Sequence, residues 1–234
     1  MPTCDTLIRN ALVVDGSGGE PLTAHVALAG DRIRAVGSRL DYAADEVIDG
    51  AGYVLAPGFI DVHTHDDTNV IRTPEMLPKL SQGVTTVIVG NCGISSAPVQ
   101  LRGEPPDPMN LLGDASVFRY PTFAAYIAAV DAARPAVNVA ALVGHTALRN
   151  NHMDRLDRAA TRGEIEAMRS QLIEALDGGA LGLSTGLAYL SANAATIDEV
   201  LALPSRSRVR VACIRRTCAA RPRPSSTHCT RPLP

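Results

Sequence analysis

The 234-residue sequence has no tryptophan, 3% aromatic residues and a single lysine, Lys79. No apolar run approaches the roughly 18 residues a membrane-crossing helix needs, so no membrane partner is expected. The opening MPTCDTLIRNALVVDG carries an acid at Asp5 and too short an apolar stretch for a secretory signal, which predicts a cytoplasmic chain. A net charge of −2 lacks the positive excess of a nucleic-acid binder. Cysteine is absent from residues 5–212 except at Cys92, and no acid follows Glu199.

The near-neutral charge is a cancellation. Residues 1–203 carry 13 Arg, one Lys and all 24 acids, for a formal charge of −10. Residues 204–234 carry eight Arg and no other charge, for +8, together with three of the five cysteines and five of the 16 prolines. The first part reads as a globular domain; the second has a different character.

What is present is patterned. Short apolar runs and turn signals alternate over residues 3–55, with breaks at Asp15-Gly16-Ser17-Gly18-Gly19, Gly30-Asp31, Gly37 and Gly50. Strands at that spacing predict a small antiparallel sheet layer. From Val54 the rhythm changes. Near-continuous apolar stretches at 54–62, 83–90, 137–144 and 180–186 predict strands buried on both faces. Helical patterns separate them. Thr161 and Glu164 have capping-box spacing, Ile165, Met168, Leu172 and Leu176 follow at helical intervals, and Gly178 is placed to end the helix. Residues 122–133 and 74–82 predict two more helices. Strands alternating with helices imply βα units and a parallel sheet. The Pro- and Gly-rich stretch 101–121 follows the second strand, where such proteins carry functional loops.

Three strand ends carry chemistry. Pro57-Gly58-Phe59-Ile60-Asp61-Val62-His63-Thr64-His65 places two histidines two residues apart, so both project from one face. Two imidazoles there begin a metal site, since imidazole suits zinc; otherwise they are hydrogen-bonded histidines at a strand end. Gly90-Asn91-Cys92-Gly93 closes the second strand, and its thiolate could complete a zinc site, although a lone cysteine is more often a small buried hydrophobe. His145, in Gly144-His145-Thr146-Ala147-Leu148-Arg149, closes the third as a substrate or metal contact, or equally as a structural or supporting residue. The fourth strand ends in Ser184-Thr185-Gly186, and Tyr189 beyond it could line a pocket or pack. Asp66 and Asp67 could orient a histidine through its other nitrogen, or cap a helix. His25 and His152 read as surface residues.

In this order the motifs APGFIDVHTH, GVTTVIVGNCG, AVNVAALVGHTALR and GALGLSTGLAY resemble the amidohydrolase superfamily, and within it the D-aminoacylase (N-acyl-D-amino-acid deacylase) branch. The resemblance covers about residues 4–203. It implies the N-terminal half of a TIM-like (β/α)8 barrel preceded by a small β-sandwich segment, an α/β fold. The expected organisation is a sandwich segment at 1–56, four βα units at 57–203 and an irregular tail at 204–234. The resemblance also implies Zn2+ held by His63, His65 and Cys92, Tyr189 near the substrate, and hydrolysis of a small N-acyl-D-amino acid to a carboxylate and a D-amino acid. A cyclic-amide hydrolase of the dihydroorotase or hydantoinase kind would use a lysine carbamate, and Lys79 lies outside the strands.

The family's two further zinc histidines and its aspartate base have no counterpart here, so the catalytic residue is unassigned and hydrolysis by this chain alone is expected to be impaired; an inactive fragment is the other reading. Where the family has a motif of the type YATHMRD, this chain has Val211-Ala212-Cys213-Ile214-Arg215-Arg216-Thr217-Cys218. Twenty-one arginines against one lysine indicate GC-rich coding DNA. Residues 204–234 read as its translation out of frame, with a natural basic tail as the alternative.

Overall fold

The computed structural model describes residues 1–204 and, beyond them, only the two-residue strand Arg215–Arg216. The out-of-frame reading of the tail therefore lies almost wholly outside the described residues. Contacts divide the chain into two units at Phe59/Ile60.

The first unit is one five-stranded sheet. β1 (Thr3–Val13), β2 (Leu22–Ala29), β3 (Arg32–Gly37) and β4 (Ala43–Asp49) lie in the order β3-β2-β1-β4, and β5 (Val54–Leu55) also pairs with β1. β1–β2 and β2–β3 are antiparallel, as the turn spacing predicts. β4 and β5 run parallel to β1, so the sheet is mixed rather than antiparallel. Tight turns enforce antiparallel pairing, but the link from β3 to β4 is not one. Alternate residues serve opposite faces: Leu7 and its partner Ala27 lie on one, Val13, Ala24 and Val26 on the other. The register slips at Asn10, whose φ of 60° marks a bulge. His25, expected at the surface, is half-buried in β2, where its Nδ1 accepts the Asn10 amide at 3.1 Å.

The second unit begins in β6 (Phe59–Asp61) and continues through α1 (Asn69–Arg72), α2 (Leu77–Leu80), β7 (Val84–Val89), α3 (Phe123–Ala133), β8 (Asn138–Gly144), α4 (His145–His152), α5 (Arg162–Asp177), β9 (Gly182–Thr185), α6 (Ile197–Ala202) and β10 (Arg215–Arg216). The sheet order is β10-β9-β8-β7-β6, and β7–β8, β8–β9 and β9–β10 are parallel, as alternation of strand and helix requires. β10 falls inside the stretch expected to be irregular and extends the sheet beside β9. No described helix is long and apolar enough to cross a membrane.

The core is mostly aliphatic, with Phe123 and Tyr126 of α3 as its buried rings. Val87 and Val89 of β7, Ala141 and Val143 of β8 and Leu183 of β9 pack with Val130 of α3 and with Met168, Leu172 and Leu176 of α5. The stretch 101–121 is not loose. Met109, Leu112 and Phe118 join Ile94, Val99 and Ala147 in a second small core.

The run 54–62 does not form one doubly buried strand. It divides into β5 and β6 around Ala56-Pro57-Gly58, because proline lacks the N–H a ladder needs. Phe59 and Ile60 are 62% and 59% exposed, so continuous apolarity here does not report burial on two faces.

α5 starts where its capping box predicts. Thr161 Oγ1 accepts the Glu164 amide at 3.3 Å, and Glu164 Oε2 accepts the Thr161 amide at 2.7 Å. Thr161→Ala leaves an amide of the first turn without its acceptor. It is expected to cost about 1 kcal/mol of stability, read as a lower urea midpoint at unchanged slope.

Candidate metal centre

His63, His65 and Cys92 converge. One ligand-capable atom from each lies within 4.8 Å of the others. His63 Nε2 and Cys92 Sγ are 2.9 Å apart, and the two imidazoles meet edge to face at 5.7 Å between centroids. His63 and His65 follow β6 and Cys92 follows β7, neighbours in the sheet. Tyr189, beyond β9, reaches the same place and shares a hydrogen bond with Cys92. Burial, and next the Cys92 charge, hold the Tyr189 phenol above its ordinary value.

This donor set fits zinc. Zinc takes sulfur at about 2.3 Å and imidazole nitrogen at about 2.0 Å, so tetrahedral ligand atoms lie about 3.3–3.6 Å apart. The 2.9 Å between His63 Nε2 and Cys92 Sγ would open by roughly half an ångström, and the widest separation, within 4.8 Å, would close by up to about 1 Å. His65 Nδ1 is buried with no hydrogen-bond partner among the described residues, as a nitrogen reserved for another ligand would be. Burial, and then the neighbouring His63, hold the His65 imidazole below its usual value, which favours the neutral form that binds metal.

The segment carrying Cys92 is buried without regular structure: every residue from Asn91 to Val99 is buried, and none lies in a helix or strand. Buried backbone polar groups must find partners. Gly93 O accepts from Thr146 N at 2.8 Å, and Asn91 O from Ile94 N at 3.0 Å. The Gly93 amide and Gly90 carbonyl both go to Ser184 Oγ, and Asp67 Oδ1 takes the Ser96 amide at 3.2 Å.

The two acids after the histidines do other work than predicted. Asp66 accepts from Thr64 Oγ1 and, at 2.9 Å, from Asn69 Nδ2, and pairs with Lys79 at 3.0 Å. Asp67 is buried, which pushes its carboxyl up to about 7. Among the described residues no hydrogen bond joins either acid to a histidine ring, and α1 has no side-chain cap. Lys79 Nζ pairs with Asp61 at 2.6 Å. Burial pulls this ammonium down, but the bonds to Asp61 and Asp66 outweigh it and hold the group above its ordinary value. A carbamate forms from the neutral amine, so this geometry opposes the lysine-carbamate alternative.

His145 is not brought to the cluster. It starts α4 with no exposed surface, and its Nε2 lies 3.1 Å from Glu199 Oε1. The substrate contact considered for it needs surface it does not have here; the supporting role fits. Glu199 also binds Arg149 Nη1 and accepts the Ala160 amide at 3.1 Å. Arg149 is fully buried, and its Nη2 donates to the carbonyls of Leu156 and Arg158 at 2.9 and 2.6 Å. The sequence reading passed over this network, although Thr196 and Glu199 have the spacing of a helix start and Thr196 Oγ1 does cap α6. His152, expected at the surface, is half-buried at the end of α4, 2.9 Å from Gln171 Oε1.

Neighbouring strands that deliver two histidines and a cysteine to one place make a three-donor candidate metal centre. A model of the amidohydrolase family matches residues 46–217, and the chain belongs to that family. The match runs past the change in charge at residue 203. The chain is 49% identical over 197 residues to an N-acyl-D-aspartate deacylase of Alcaligenes xylosoxydans xylosoxydans, covering 84% of this chain and 39% of that protein. The solved structure of a D-aminoacylase that defines a novel subset of amidohydrolases aligns at 45% identity and a TM-score of 0.82, over 86% of this chain and 42% of that one. An N-acyl-D-glutamate deacylase from Bordetella bronchiseptica, solved with zinc and a phosphonate mimic of the tetrahedral intermediate, aligns at 42% identity and a TM-score of 0.81, over the same shares. The chain thus spans about two fifths of the length of these relatives.

Proposed function

We propose that this chain carries the N-terminal part of a zinc-dependent N-acyl-D-amino-acid deacylase, with His63, His65 and Cys92 as metal ligands. The observation that carries the reading is the convergence of those three side chains at neighbouring strand ends. The named relatives supply the reaction class. Bound zinc would polarise the scissile amide carbonyl and lower the pKa of a water molecule. The residues of this chain prepare for that chemistry. His65 is held neutral, and Cys92 offers a sulfur on the buried segment. Tyr189 is half-buried beside Cys92 and forms a wall against which the acylated substrate lies. His145, the first residue of α4, is fixed there by Glu199. Among the described residues no carboxylate joins the three-ligand cluster, so the base that takes the proton from water is not assigned to any of them.

The test is a pair of measurements on the 234-residue chain. Zinc content after dialysis is expected to be stoichiometric. Hydrolysis of N-acetyl-D-methionine with added zinc is expected to stay near background, for want of that base. A metal-free protein overturns the zinc reading, and turnover at the level of a full-length relative overturns the expected impairment.

A further inference from the structure

Cys92 sits in a strained turn. Gly90, Cys92 and Gly93 all have positive φ, at 76°, 57° and 77°. The glycines tolerate this region; a side-chain-bearing residue there costs about 1–2 kcal/mol. Such a conformation persists only where its surroundings hold it. Asn91 Nδ2 ties the turn to Ile88 O of β7 at 2.7 Å, but Gly90 O and the Gly93 amide at its two ends bond to a residue more than 90 positions away. Ser184 Oγ accepts the Gly93 amide at 3.0 Å and donates its own hydrogen to Gly90 O. One hydroxyl therefore bridges the residues on both sides of Asn91 and Cys92. Ser184 has no exposed surface, so water does not compete for either bond.

Ser184 is itself fixed. It pairs with Gly144 in the β8–β9 register, and Gly144 lies against the turn: a Cβ on Gly144 would stand 2.5 Å from Gly93 O. A Cβ on Gly186 would stand 2.0 Å from Cys92 O, and one on Gly90 would stand 2.1 Å from Leu142 O. The turn thus rests on bare backbone of β8 and of the residue that follows β9. The hydroxyl of Ser184 joins Gly90 O to the Gly93 amide, and the Asp67 carboxylate adds a second clasp by accepting the Gly90 and Ser96 amides.

We infer that Ser184 is a positioning residue for the thiolate ligand. It acts through Cys92 and does not touch the metal. By clasping Gly90 and Gly93 it fixes the backbone from which Sγ approaches His63 Nε2. Ligand geometry must hold to within about 0.5 Å for a metal site to form well, and a turn free to relax toward ordinary φ would swing the sulfur further than that. This inference rests on the metal reading above.

Cobalt(II) titration of the full 234-residue chain tests it, because a cobalt–thiolate bond gives a near-ultraviolet charge-transfer band. The unsubstituted chain is expected to show the band. Ser184→Ala is expected to weaken cobalt binding about 10–100-fold, the range for lost outer-shell partners, and to diminish the band per bound ion. Ser95→Ala is the control for a purely structural loss. It removes another buried hydroxyl, one that accepts the Gly144 amide at 3.0 Å and donates to Ala97 O at 2.8 Å, but does not bond to residues 90–93. Because it reaches the turn only through Gly144, it is expected to lower thermal stability while costing far less cobalt affinity and band intensity than Ser184→Ala. Ser184→Thr keeps the hydroxyl and should restore affinity; it also serves if Ser184→Ala lacks the circular dichroism of the folded chain. Wild-type affinity and band in folded Ser184→Ala overturn the inference. So does lost affinity in folded Ser184→Thr, or an equal loss in Ser95→Ala. No band in the unsubstituted chain overturns the metal reading, and this inference with it.

Discussion

Cys92→Ala is expected to strip the chain of stoichiometric zinc while leaving its secondary structure in place. The thiol is one of three donors and the one that binds zinc as an anion. The remaining pair, His63 and His65, is a two-imidazole set on a partly exposed segment. Its affinity should fall by more than about 100-fold, beyond the roughly 10–100-fold that loss of an outer-shell partner costs. Packing changes little, since alanine removes one sulfur atom from a segment whose backbone bonds stay made. Cys92→Ser should fail to hold zinc too, because a serine hydroxyl stays protonated where a thiol ionises. Metal analysis after dialysis and calorimetric titration read the result. Full zinc retention by Cys92→Ala sinks the assignment of Cys92 as a ligand.

The largest effect on stability belongs to the buried charges behind β8. Glu199→Gln keeps the size of the side chain but leaves Arg149 buried with no anionic partner. Breaking such a pair from one side costs about 3–5 kcal/mol. The dependence on pH follows. Burial alone would raise the Glu199 carboxyl, but hydrogen bonds from His145 and Arg149 and from the Ala160 amide outweigh it and hold it at about 2, against an ordinary value of 4.5. A depressed carboxylate stabilises the fold above its unfolded pKa, and that share is lost as pH falls from about 4.5 to about 2. Glu199→Gln should therefore be much less stable at pH 7 and lose less than the unsubstituted chain on acidification over that window. Urea unfolding at pH 7, 4 and 3 measures both. Equal stability at pH 7 would show that the pair contributes nothing net.

The parts of this molecule that were legible in the sequence are those with a short-range signal. Capping at Thr161 and Glu164, and alternation of strand-like and helix-like stretches, depend on neighbouring residues, and the structure follows them. The gathering of His63, His65 and Cys92 was legible for a related reason. Once the two segments are neighbouring strands of one sheet, the residues that follow them meet, so position after a strand stands in for position in space. The misses share the opposite property. Apolarity at 54–62 states what the strands could bury, not what covers them, and Pro57 divides the run. His145 and Glu199 meet across 54 positions, and nothing local to either announces the other. Ser184 was legible as the end of the fourth strand, but the role of its hydroxyl was not. Which way it turns depends on a carbonyl and an amide far away in the chain. Parallel pairing of β4 with β1 was missed because turn spacing reports only on strands joined by tight turns.

The close backbone approaches around Cys92 bear on how such a centre could be moved or inherited. At Gly90, Gly144 and Gly186 any side chain would overlap main-chain atoms of another strand or of the turn. A transplant that copied the two histidines and the cysteine into a different parallel sheet would fail without those three blanks, since the turn would have nowhere to lie. The instruction for this site is therefore written partly in residues that contribute no atoms to it, and a variant library that holds the ligands fixed while randomising the glycines would lose the centre as surely as one that did the reverse.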